Sequence, residues 1–104
     1  MTARALPSLT EKEWQRQVVH LAQLHGWECW HPWLSIHSPR GFPDLVMVRP
    51  PRIVAAELKR DTGKLTPAQE HWLDLLGACP QIEAYEWRPS DFEEVERVLR
   101  RTPP

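Results

Sequence analysis

Cysteine is scarce in this chain. There are two, Cys29 and Cys79, and their spacing forms no CxxC pair. A disulfide framework is therefore not expected, and two free thiols in a reducing cytoplasm are. The sequence has no signal-peptide pattern and no apolar run long enough to span a bilayer, so no membrane association is expected. Charge of one sign is also lacking: 13 basic against 14 acidic residues leave a formal net charge of −1. That argues against a protein held on nucleic acid by bulk charge, but it permits a local basic surface. No internal repeat, low-complexity block or domain boundary is visible. The 104 residues suit one domain with a modest core, with 1–9 as a loose lead-in and 102–104 as a tail. What the chain does have is tryptophan, six in all, enough to supply much of a core or of a partner interface.

The order of elements follows from periodicity and caps. Thr10 can cap a first helix near 10–25, with Glu11 and Glu13 in its first turn and Trp14, Val18, Leu21 and Leu24 or His25 at helical spacing. Gly26 suits the residue after its end. Residues 27–31 read as a first strand, stopped by Pro32. Two nearly continuous apolar runs, 45–48 and 53–58, read as strands covered on both faces. Arg49-Pro50-Pro51-Arg52 connects them as a turn. Thr66, Pro67 and Gln69 form a capping box for a second helix ending near Gly77, with Trp72, Leu73, Leu75 and Leu76 as its apolar face. Residues 81–87 alternate as a fourth strand. Ser90-Asp91-Phe92-Glu93 suits the start of a last helix with Phe92, Val95, Val98 and Leu99 facing inward. The result is α/β: a mixed four-stranded sheet flanked by helices, in the order α-β-β-β-α-β-α.

The chemistry is concentrated where the two apolar runs carry acids. Asp44 stands at the mouth of the first run, and Glu57 and Lys59 close the second. If the runs pair, these side chains converge, because Glu57 and Lys59 share a strand face and Leu58 takes the other. Two carboxylates and an ammonium are costly to bury for structure alone. They are suited to holding Mg²⁺ or Mn²⁺ beside a phosphate, with the Leu58 carbonyl as a further ligand and Lys59 stabilising the transition state. Glu11 on these grounds is a first-turn glutamate, and the capping box already explains Gln69. The loop before Gly41 offers His31, His37, Ser38 and Arg40 as phosphate contacts. The charged loop after Lys59 adds Arg60 and Lys64.

Gly41-Phe42-Pro43-Asp44-Leu45, Glu57-Leu58-Lys59, the stretch Gly63 to Gln69 and Trp87-Arg88-Pro89-Ser90-Asp91 together resemble the VRR-NUC nucleases of the PD-(D/E)xK superfamily. Glu11-Lys12-Glu13-Trp14-Gln15 and Gly26-Trp27 fit the same resemblance. Leu58 stands where the family's name motif has valine. The resemblance implies a restriction endonuclease-like fold and Mg²⁺- or Mn²⁺-dependent DNA cleavage. It makes Asp44 and Glu57 metal ligands, Lys59 the catalytic lysine, Glu11 a member of the acidic cluster with Glu13 as the fallback, and Gln69 a neighbour of the site. It also implies a compact nuclease acting on branched DNA, commonly as a homodimer. Two other readings remain open at this point: a DNA-binding or assembly module that keeps the fold without turnover, and a small α/β protein with no nucleic-acid role.

Overall fold

The computed structural model describes residues 9–31 and 40–103. Its elements are α1 (Glu11–Leu24), β1 (Glu28–Trp30), β2 (Leu45–Arg49), β3 (Arg52–Leu58), α2 (Pro67–Gly77), β4 (Ile82–Trp87) and α3 (Phe92–Arg100). Among the described residues no helix is long and apolar enough to cross a membrane. The four strands lie side by side in the order β1-β2-β3-β4. β1, β2 and β3 run antiparallel, whereas β4 joins β3 in parallel after the crossover through α2.

Strand alternation divides the layers. Cys29, Leu45, Met47, Val54, Ala56, Leu58, Tyr85 and Trp87 point to one face, where they meet Trp14, Val18 and Ala22 of α1 and Val95, Val98 and Leu99 of α3. The other face receives α2, with Gly77 lying beside Ala84. Both buried indoles of the helical layer are tied across long sequence distances. Trp14 donates to the Trp87 carbonyl at 3.0 Å and Trp27 to the Leu99 carbonyl at 2.8 Å.

Local chemistry explains most of the boundaries. Thr10 and Glu13 form a reciprocal capping box at α1, and Thr66 and Gln69 repeat it at α2 with Pro67 at the first position. Gly26 follows α1 at φ 86°, a conformation that glycine adopts freely. Three expectations are corrected. Residues Pro89–Asp91 form a short 3-10 turn, and α3 starts from Asp91 rather than Ser90. The Asp91 carboxylate accepts the Arg88 N–H at 2.9 Å instead of capping α3. Phe92, at the first position of α3, is 45% exposed and only tilts against Trp14. Leu24 is 69% exposed, because the inward line of α1 steps from Trp14 to Val18 to Ala22 and leaves Leu24 on the outer side.

The closed end of the β2–β3 hairpin is clasped to the end of α3. The Arg49 and Arg52 guanidiniums lie 4.7 and 4.9 Å from the centroid of the Trp27 ring. Arg49 donates to the carbonyls of His25, Leu99 and Arg101. Arg52 donates to those of Val98 and Arg101, and binds both Glu83 oxygens at 2.7 and 2.8 Å. The carbonyls that a helix leaves open at its C-terminus are thus satisfied by two cations that also favour that end of the dipole. Arg52 is almost wholly buried. Arg52→Ala takes the side-chain donor from the Val98 carbonyl and leaves Glu83 with Tyr85 and Arg101 alone, so urea unfolding should show a loss of about 3 kcal/mol. Arg52→Lys should recover only part of it, since an ammonium cannot reproduce the two-pronged contact.

Candidate active site

The site forms at the open end of the same hairpin. Leu45 pairs with Ala56 in the antiparallel register, so Asp44, one position earlier, stands opposite Glu57. The approach to Asp44 is set by Gly41 at φ 82° and by the buried Pro43. A Cβ on Gly41 would lie 2.5 Å from the Ala68 backbone carbon, so only glycine lets the first turn of α2 pack this close. Asp44 then accepts the Leu58 N–H at 2.9 Å, which holds one carboxylate against the end of β3.

Glu57 is 2% exposed, and its Oε1 has no hydrogen-bond partner. Its Oε2 lies 4.0 Å from Lys59 Nζ. Burial pushes the Glu57 carboxyl up to about 8, helped by the Asp44 charge and a hydrogen bond shared with Asp44, while Lys59 pulls the other way. Lys59 is itself buried along its stem, its N–H bonded to the Trp87 carbonyl at 3.0 Å. Its ammonium lies 4.0 Å from Glu11 Oε2 as well as from Glu57. The arrangement is two adjacent carboxyls, one of them costly to ionise, under a single cation.

Of the other expected site residues, Glu11 is brought in as the second anionic neighbour of Lys59. Gln69 is engaged elsewhere, its side-chain oxygen accepting the Thr66 N–H at 2.9 Å. Arg40, Arg60 and Lys64 are exposed on the segments leading into and out of the hairpin end. His37 and Ser38 lie outside the described residues. His31 is exposed at the end of β1. Sequence reasoning missed the work of Arg88, whose guanidinium donates to the Arg60 and Gly63 carbonyls at 2.7 and 2.6 Å. The Asp61 carboxylate accepts the Ser90 N–H at 3.1 Å on the same loop. The loop that follows Lys59 is thereby tied to the end of β4. An arginine directly after a strand was the available signal, but its partners are carbonyls 25–28 residues away.

The residues fit a hard divalent cation. Among the described residues no three His, Cys, Asp and Glu side chains are gathered as a ready cluster. The nucleus is the Asp44–Glu57 pair, all oxygen, with a buried and unsatisfied Oε1 that a cation would satisfy. In the metal-free protein Glu57 gives a definite pH signature. The unfolded chain loses this proton near 4.5 and the folded chain near 8, so its contribution to stability falls as pH rises across that window and levels off above it. The stability gap between Glu57→Gln and the parent should therefore widen in favour of Glu57→Gln between about pH 4.5 and 8 in EDTA, read by urea unfolding.

The mixed four-stranded sheet with its flanking helices is a restriction endonuclease-like α/β fold. Residues 5–88 match the VRR-NUC domain family, to which the chain belongs. A solved structure described as a VRR_NUC domain protein superposes with a TM-score of 0.68 over 89% of this chain and 87% of that one, at 21% identity. At that identity the likeness speaks for the fold alone. No curated protein matches the chain.

Proposed function

We propose that the protein is a Mg²⁺- or Mn²⁺-dependent DNA endonuclease that hydrolyses phosphodiester bonds, selectively in branched, flap or junction DNA. The observation that carries this reading is the buried Glu57 carboxyl set against Asp44 and beside Lys59, a like-charge arrangement that leaves one Glu57 oxygen without a partner. A divalent cation held by Asp44, Glu57 and the Leu58 carbonyl would polarise the scissile phosphate and lower the pKa of a water. Asp44, fixed by the Leu58 N–H, keeps one carboxylate aimed at the site. Glu57 gives up its proton when a cation replaces that proton as its counter-charge, so cation binding below about pH 8 releases a proton. Lys59 places its ammonium where negative charge builds on the phosphate and orients the attacking water. Glu11, 4.0 Å from the Lys59 ammonium, helps to hold it toward the site. Membership of the VRR-NUC family supports the reaction class.

DNA is the proposed partner, and a homodimer the proposed working form. A domain this small offers one strand little surface, and a second copy would bring a second site. The aromatic set Trp30, Phe42 and Trp72, with Trp30 56% exposed, supplies an apolar face for that contact. A single monomeric peak in light scattering, with activity linear in protein, would sink the dimer.

The test is cleavage of a labelled panel of four-way junction, flap, nicked, plain duplex and single-stranded DNA with Mg²⁺, Mn²⁺ or EDTA. Cutting should require metal. Lys59→Ala should slow it by about 10²–10³-fold or more while binding persists. Binding without cutting under either metal would instead favour a catalytically silent DNA-binding module.

A further inference from the structure

The basic side chains of the described residues fall into three groups. Arg52, Lys59, Arg88, Arg97, Arg100 and Arg101 each lie within ion-pair distance of a carboxylate. Arg49 is held by backbone carbonyls. Lys12, Arg16, Arg40, Arg60 and Lys64 have no carboxylate within that distance. Two of these five, Lys12 and Arg16, stand one turn apart on α1, and His20 continues the line one turn further. The acids of α1 are confined to its first turn, where Glu13 is bound into the Thr10 capping box and Glu11 faces Lys59. Beyond Glu13 the helix carries no carboxylate to its end.

These residues line one groove. Lys12, Gln15, Arg16, His20 and Gln23 of α1 and His31 at the end of β1 border a space of about 570 Å³. The lining among the described residues holds two cations, two imidazoles, two amides and the apolar Val19, and no carboxylate. Its near end adjoins the site, since Lys12 follows Glu11 directly and Gln15 stands one turn beyond Glu11. Successive steps of four residues rise about 6 Å along the helix, so Lys12 and Arg16 present two charges in line along it.

Resting on the nuclease reading above, we infer that this α1 groove seats the phosphate backbone of one DNA strand as it leaves the site. Lys12 and Arg16 neutralise two phosphates. Gln15 and Gln23 supply amide donors, and His20 and His31 border the strand's path. The occupant is a polyanionic strand because, among the described residues, the groove lining carries positive charge and no carboxylate, with Glu13, the acid that Arg16 feels, turned into the Thr10 cap, in a chain whose net charge is −1.

The experiment is fluorescence-anisotropy binding of the full chain in EDTA to flaps with single-stranded arms of increasing length, over a salt series, with cleavage assayed in parallel. Lys12→Gln/Arg16→Gln should lower the salt slope of log K by about 1.4 on long arms, and not on an arm too short to enter the groove. The control, Arg97→Gln/Arg100→Gln, removes the same charge from α3, where both arginines are already paired. It should leave the slope unchanged. Melting curves matched to the parent exclude misfolding. An unchanged slope in the α1 variant, or an equal loss in the α3 control, overturns the groove while wild-type cleavage still stands. A parent chain that neither binds nor cuts any substrate removes the nuclease reading together with it.

Discussion

The register between β2 and β3 is the constraint on which the site depends. One position beyond the Leu45–Ala56 pair it sets Asp44 against Glu57, and the packing of the domain then removes Glu57 from water. Two carboxyls in that position oppose each other's ionisation, and desolvation adds to the conflict. The surroundings answer with the Lys59 ammonium, drawn between Glu57 and Glu11, and with the Leu58 N–H on Asp44. One Glu57 oxygen is still left without a partner. A one-residue slip would turn Asp44 to the opposite face, so pairing and chemistry stand or fall together.

The hairpin has two ends with opposite tasks. At the closed end, Arg49 and Arg52 lie on Trp27 and bind terminal carbonyls of α3, so both guanidiniums find partners. At the open end the polar groups are only partly satisfied, and the connecting segments are tied from outside instead. Gly41 lets α2 pack against the entry to Asp44, and Arg88 holds the loop that leaves Lys59. A rigid frame at one end makes an under-satisfied cluster at the other tolerable, since the strands cannot rearrange to relieve it.

Much of this was legible because it rests on local chemistry. Thr10 and Glu13, Thr66 and Gln69, Pro67 and Gly26 mark helix ends through bonds made within a few residues. The apolar runs bounded by Asp44 and by Lys59 mark the two central strands. The departures share one cause, a competitor invisible in the local pattern. Asp91 bonds the Arg88 N–H in place of its own helix, and Leu24 lies at helical spacing but beyond the reach of the sheet. Gln69 makes the cap that its spacing from Thr66 predicts. The line Lys12, Arg16, His20 was present in the sequence at steps of four. Its meaning depends on which other cations are paired, and that requires the fold.

By itself, the sequence determined the element order, most of the caps and the placement of Asp44, Glu57 and Lys59 at the ends of two apolar strands, because each depends on residue type and short spacing. Only the tertiary structure decided the rest. It settled how deeply Glu57 is buried, which carboxylate shares Lys59, which arginines are neutralised and where an unpaired basic groove remains. These are properties of desolvation and of distance between segments far apart in the chain, and both exist only once the layers have closed.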